Sequence, residues 1–192
     1  MRTDGREVTM TNLPAVALDS TVDPADRASA VDFINRVNLL FDAWDIDAMV
    51  EAFLPDSVTY HTHGINRGRA ETRRFFQEMY PYSVPGVSRI ATNQIVDRDG
   101  DDGVIVRYHN LLIRYAPEQT GPKVVRGDVP DGPDDLPAIW VYSAMTDRLR
   151  RTEGGWRIFE RHIGTTTMND RLRPAPSRPG FMDPYLPRAA SW

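Results

Sequence analysis

The chain predicts an α+β domain in which helices cover one face of a curved antiparallel sheet. Three observations carry this. Two short amphipathic helical patterns and a third helix fall before residue 81, long β-rich segments fill most of the rest, and tight Gly/Asp turns separate those segments. The order reads α-α-β-α-β-β-β-β, with no internal repeat.

Residues 1–22 show no period and read as a flexible arm. Asp23-Pro24 has the form of an N-cap followed by proline at the first helical position. Val31, Ile34, Val37, Leu40, Phe41 and Trp44 then recur at helical spacing. Asp45 caps a second helix, whose Ile46, Met49, Val50, Phe53 and Leu54 follow the i, i+3, i+4, i+7, i+8 pattern up to Pro55. Ser57 to Thr62 reads as a strand and Gly68 to Tyr80 as a third helix bearing Phe75, Phe76, Met79 and Tyr80 on one side.

Val87 to Asp97 is the next strand, and Asp99-Gly100-Asp101-Asp102-Gly103 turns it into Val104 to Tyr115. Residues 117–137, dense in Pro, Gly and Asp, read as a long exposed loop. Ala138 to Arg151 is a further long strand, which Glu153-Gly154-Gly155 returns into Trp156 to Thr167. The domain therefore spans 23–170. The proline-rich tail 171–192 cannot be regular, but its Phe181, Tyr185, Leu186 and Trp192 suit a docked lid.

Composition excludes several function classes. With 192 residues, 41% hydrophobic and 26% charged, the chain is an ordinary globular one, large enough to bury a core. Net charge is -4, the single lysine is Lys123, and no basic stripe exists, which argues against nucleic acid. No apolar run approaches the ~18 residues of a membrane span, and the N-terminus lacks the apolar stretch of a secretory signal. The absence of cysteine excludes disulfides and thiolate chemistry and accords with a cytoplasmic location. No Gly-x-Gly-x-x-Gly, P-loop or Gly-x-Ser-x-Gly motif is present, so the expectation is a protein without cofactor or metal.

Chemistry concentrates in Thr59-Tyr60-His61-Thr62-His63-Gly64, which holds two of the four histidines. Residues i and i+2 of a strand share a face, so Thr59, His61 and His63 look one way and Tyr60 the other. An imidazole titrates near working pH, at about 6.5, and suits general acid–base catalysis. Asp42 lies on the apolar side of the first helix, where a carboxylate must be paired or poised for function. Arg89 and Arg114 are further candidates for holding an anionic group of a ligand. His109 and His162 stand in strands whose phase the sequence leaves open, with Tyr108 and Asn110 flanking His109.

From Ala25 to Asn169 the element order resembles the NTF2-like superfamily, and within it the SnoaL-like and scytalone-dehydratase-like proteins. Phe41 to Pro55 resembles the dehydratase segment whose Tyr-Asp pair faces the pocket; Asp42 takes the aspartate position and Phe41 replaces the tyrosine. Asp42 also falls where similar dehydrochlorinases carry the aspartate of an Asp–His dyad. Phe53 to Gly64 is similar to the ketosteroid isomerase segment bearing the catalytic aspartate, with His61 in its place; the same placement puts His61 on a pocket tyrosine of the dehydratase. Gly155-Trp156-Arg157-Ile158 fits the last strand. Arg89 and Arg114 stand where the dehydratases carry histidines.

The resemblance implies a cone-shaped NTF2-like (cystatin-like) barrel, three helices over the sheet, and a homodimer. It also implies a cofactor-independent lyase or isomerase that acts on a small, apolar, oxygenated molecule: a dehydratase, isomerase or cyclase. Asp42 and His61 would be catalytic, and His63, Arg89, His109, Arg114 and His162 would bind substrate. Two other readings fit the same fold: a non-catalytic assembly subunit like the small subunit of ring-hydroxylating dioxygenases, and a ligand-binding module.

Overall fold

A computed structural model describes residues 13–61, 64–80, 87–100, 102–115 and 137–172. The elements, in chain order, are α1 (Pro24–Ala43), α2 (Ile46–Glu51), β1 (Phe53–His61), β2 (Gly64–Arg67), α3 (Gly68–Met79), β3 (Val87–Arg98), β4 (Gly103–Arg114), β5 (Ala138–Thr152), β6 (Gly155–Met168) and a 3-10 turn (Asp170–Leu172). The strands form one sheet in the order β2-β1-β6-β5-β4-β3.

The expected caps set the first two helices. The Asp23 carboxylate accepts from Ala25 N at 2.8 Å, and Asp45 accepts from Ala48 N at 3.0 Å. Between them Trp44 takes a left-handed conformation (φ 57°), and its N–H and that of Asp45 close the last turn onto Phe41 and Leu40 carbonyls. α2 does not run to Pro55. It stops at Glu51, because Ala52 O accepts from Ile158 N at 2.8 Å and draws the chain alongside β6. Pro55 then sits inside β1, in an irregular stretch between Phe53 and Val58, where a missing N–H interrupts no ladder bond.

The expected antiparallel sheet contains one parallel pair, β1 with β6, so the sheet is mixed. β2 is an element the sequence pattern did not announce: it folds back on β1 and leads into α3 at Gly68. Gly68 has φ +69°, and a Cβ there would meet Pro55 O at 2.8 Å, so only glycine fits the turn. Residues 13–22 form no helix or strand, but Ser20 donates to Val96 O, Arg107 donates to Pro14 O, and Val22 joins the core.

Bulges bend the sheet. They fall between Thr92 and Ile95 (with Asn93 at φ 56°), Leu112 and Ile113, Ser143 and Met145, and Arg148 and Leu149. α1 lies against β3, and α3 against β1. One end of the wrapped space is filled by Ile34, Val37, Met49, Val104, Val106, Leu149 and Ile158. Each fully buried aliphatic there contributes about 1.5–3 kcal/mol relative to exposure. The other end is hollow.

Candidate active site

The register aligns the concave side chains in rows across the strands. Thr59, Arg161, Asp147 and Val106 form the deepest. Tyr60 pairs with His162, so His61 falls beside Ile163, level with Met145 and Tyr108. Thr166, Ser143, Asn110 and Ala91 form the next row, and Met168, Val141, Leu112 and Arg89 the last. Successive rows lie about 6.6–6.8 Å apart along the strands.

These rows, with α1 and α3, enclose a cavity of about 200 Å³. Its walls are mostly apolar and aromatic: Phe41, Phe53, Phe75, Phe76, Tyr80 and Trp140 contribute rings. His61 lines it and packs edge-on against Phe75, with ring centres 4.7 Å apart. Thr59, Arg89, Asn110, Ser143 and Arg161 supply polar groups to the same space.

Arg89 is held from behind. Asp42, near the C-terminal end of α1, accepts from Arg89 Nη1 at 3.3 Å, from Arg89 N at 3.1 Å and from Ser88 Oγ at 2.6 Å. The guanidinium lies 5.2 Å from the Phe41 ring centre and 5.7 Å from that of Tyr80. Burial pulls Arg89 below the usual arginine range, and the nearby Tyr80 and Asp42 offset only part of this. Arg89 Nη2 is buried with no hydrogen-bond partner among the described residues. Tyr80 is pushed up chiefly by burial, against the opposing pull of Arg89 and Arg161.

Arg161 forms the second buried pair. Its Nε and Nη2 each donate to the fully buried Asp147 at 2.7 Å, and Tyr108 Oη donates to the same carboxylate at 3.0 Å. Burial opposes the Arg161 charge, but Asp147, together with Tyr108 and Tyr80, more than offsets it and holds the guanidinium above its ordinary value. Burial, followed by the Asp147 charge, pushes Tyr108 well above the usual phenol range. Tyr108 thus stays a neutral donor, and Arg161 a fixed cation.

The structure brings His61 and Arg89 to one cavity and sets Asp42 behind Arg89, with its carboxylate engaged by Ser88 and Arg89. Three expected substrate contacts lie outside the cavity lining. His162 points to the outer face, where Tyr60 stacks on it at 4.6 Å and its Nε2 contacts Glu160. His109 also faces outward, against Tyr142, because its neighbours Tyr108 and Asn110 take the inward phase. Arg114 is buried outside the cavity lining, where its Nη1 donates to Leu172 O and ties β4 to the 3-10 turn. His63 lies outside the described residues, as does the tail expected to form a lid.

Sequence reasoning missed Arg161, Asp147, Thr59, Ser143 and Trp140 as cavity or near-cavity polar groups. Counting by twos from the core residue Ile158 places Glu160 and His162 inward. The irregularity between Arg148 and Leu149 leaves Phe159 unpaired in the register and reverses that phase, turning Arg161 in. Among the described residues no group of three His, Asp or Glu side chains could hold a metal ion, and no helix is long and apolar enough to cross a membrane.

A sequence model of the SnoaL-like domain matches residues 23–162. No curated protein matches the chain in sequence. Among solved structures, an NTF2-like protein with a cystatin-like fold from Novosphingobium aromaticivorans is similar at 21% identity and a TM-score of 0.57, covering 76% of this chain and 83% of the other. A putative scytalone dehydratase from the same organism aligns at 18% identity and a TM-score of 0.56, over 76% and 88% of the two chains. ActVI-ORFA from Streptomyces coelicolor aligns at 15% identity and a TM-score of 0.56, over 71% and 95%. At these identities the likeness establishes the cone-shaped NTF2-like fold.

Proposed function

This chain belongs to the SnoaL-like domain family, and from that premise we propose that it is a cofactor-independent lyase or isomerase. It would move protons on a small oxygenated molecule held in the cavity. One observation carries the reading: an imidazole, His61, and a buried guanidinium with an unpartnered N–H, that of Arg89, line the same apolar cavity.

In this reading His61 removes a proton from the carbon beside a carbonyl. Negative charge then develops on the carbonyl oxygen, and Arg89 Nη2 donates to it. A fixed donor in a space walled by aromatic rings acts far more strongly than in water and needs no rearrangement as the charge forms. Asp42 does not touch the substrate; it positions Arg89. The imidazolium returns the proton to another carbon (isomerisation), to a departing hydroxyl (dehydration) or to an oxygen after ring closure (cyclisation). A cavity of about 200 Å³ suits a compact ring compound, since an apolar void of about 150 Å³ already admits benzene.

The test is deuterium incorporation from D₂O into the methyl group of acetophenone, followed by proton NMR. The protein should accelerate exchange over buffer, and His61→Gln should lower that acceleration by about 10² or more. Equal exchange by protein and His61→Gln would remove His61 from the chemistry.

A further inference from the structure

Among the described residues, three unpartnered polar groups on cavity-lining side chains have a fixed sense: Arg89 Nη2 and Trp140 Nε1 only donate and Asn110 Oδ1 only accepts, while the Thr59 hydroxyl can do either. Resting on the reading of this cavity as the reaction site, we infer that its substrate carries a free hydroxyl in addition to the carbonyl. The hydroxyl is read by Asn110 and Ser143, and the carbonyl or its enolate by Arg89 and Trp140.

The acceptor side follows from hydroxyl arithmetic. A serine or threonine hydroxyl has one proton to give and two lone pairs. Thr166 Oγ1 lies 3.1 Å from Gly164 O and 3.1 Å from Ser143 Oγ; with its one proton on the Gly164 carbonyl, the serine is the donor of the second contact. Ser143 has then spent its proton and can only accept. Asn110 is its directly paired neighbour on β4, and Asn110 Oδ1 is buried with no hydrogen-bond partner among the described residues. Side chains directly opposite on adjacent antiparallel strands stand about 4.5–5.5 Å apart at Cβ. Two acceptors therefore lie side by side on one wall, in the row next to that of His61. An oxygen with no proton to give gains nothing from these two acceptors, whereas a hydroxyl, with its one proton, gains one bond.

The donor side lies at that end of the cavity, with Arg89 in the last row and Trp140 beside that row's Val141, in the β5 irregularity. Arg89 Nη2 and Trp140 Nε1 are both buried without partners among the described residues, and both belong to side chains that line the cavity. Neither can accept. They suit a carbonyl oxygen, and better an enolate. A ligand with only one of the two functions leaves one wall unsatisfied, and a buried polar group left unpaired is what makes such sites discriminating.

Equilibrium binding measured by calorimetry on the full chain tests this with six probes of similar size: meta- and para-hydroxyacetophenone, the two matching methoxyacetophenones, acetophenone, and ethylphenol. The better hydroxyacetophenone isomer should bind about tenfold or more tighter than its methyl ether, acetophenone and ethylphenol. Asn110→Leu should erase most of the preference for hydroxyl over methoxy. Equal affinity for hydroxyl and methoxy forms, absence of binding by both hydroxyacetophenones, or a preference that survives in Asn110→Leu would overturn the inference. The wild-type series needs no variant to fold. Since binding is measured without turnover, a lost hydroxyl preference with His61-dependent exchange intact would sink only this inference.

Discussion

Arg89 holds its charge with a side chain only 3% exposed, and Asp42, 18% exposed, is its one ion-pair partner among the described residues. A buried charge left unpaired costs about 3–5 kcal/mol. Asp42→Ala should therefore destabilise the fold by about that much, read by urea denaturation. In an Arg89→Met background the same change should cost less than half as much, because no charge is left behind. An equal cost in both backgrounds would mean that Asp42 acts through the Ser88 hydroxyl and the backbone N–H alone. The sequence made Asp42 and His61 legible for simple reasons: a carboxylate on an apolar helix side is anomalous, and period two fixes a strand's near neighbours. It could not distinguish Asp42 as a partner for Arg89 from Asp42 as a partner for His61, since that depends on how β3 docks against α1.

At the scale of elements, the β3–β4 turn shows how charge secures the sheet. Arg148 donates to both Asp99 oxygens at 2.8 and 3.0 Å, Arg150 donates to one at 2.8 Å, and Arg148 continues to Glu160 at 3.2 Å. Burial raises Asp99, but the hydrogen bonds from Arg148 and Arg150, together with the charges of the two guanidiniums, outweigh it and hold the carboxyl below its ordinary value. A depressed folded-state value gives stability that is present above the unfolded value of about 3.9 and is lost as pH falls through the folded one. Asp99→Asn should therefore lower the melting temperature at pH 7. The gap to the parent protein should shrink steadily below about pH 4; a gap independent of pH would contradict the ion-pair account. The turn itself was visible in Asp99-Gly100-Asp101-Asp102-Gly103, and so were the strands on either side. The bulges were not. Each inserts one residue that no periodicity announces and reverses the phase beyond it, which is why the sequence leaves the facing of His162 open while Arg161 turns inward in the fold. The same blindness hid the end of α2, where a single backbone bond from Ile158 to Ala52 overrides a helical pattern that continues to Leu54.

For the whole molecule, the legible part was the cone: helical patterns first, long strands after, and tight turns between. Its hollow end was not legible, because a cavity is set by which faces the bulged strands present and by how far the sheet curls. The account stands on one division of the molecule, with His61 on the cavity side of the sheet and His109 and His162 on the other face. Histidine ring signals report that division directly. In protein labelled with ¹⁵N-histidine and assigned by single substitutions, saturating hydroxyacetophenone should shift the ring nitrogens of His61 and leave those of His109 and His162 in place. Shifts at His109 or His162 with His61 unmoved would contradict it.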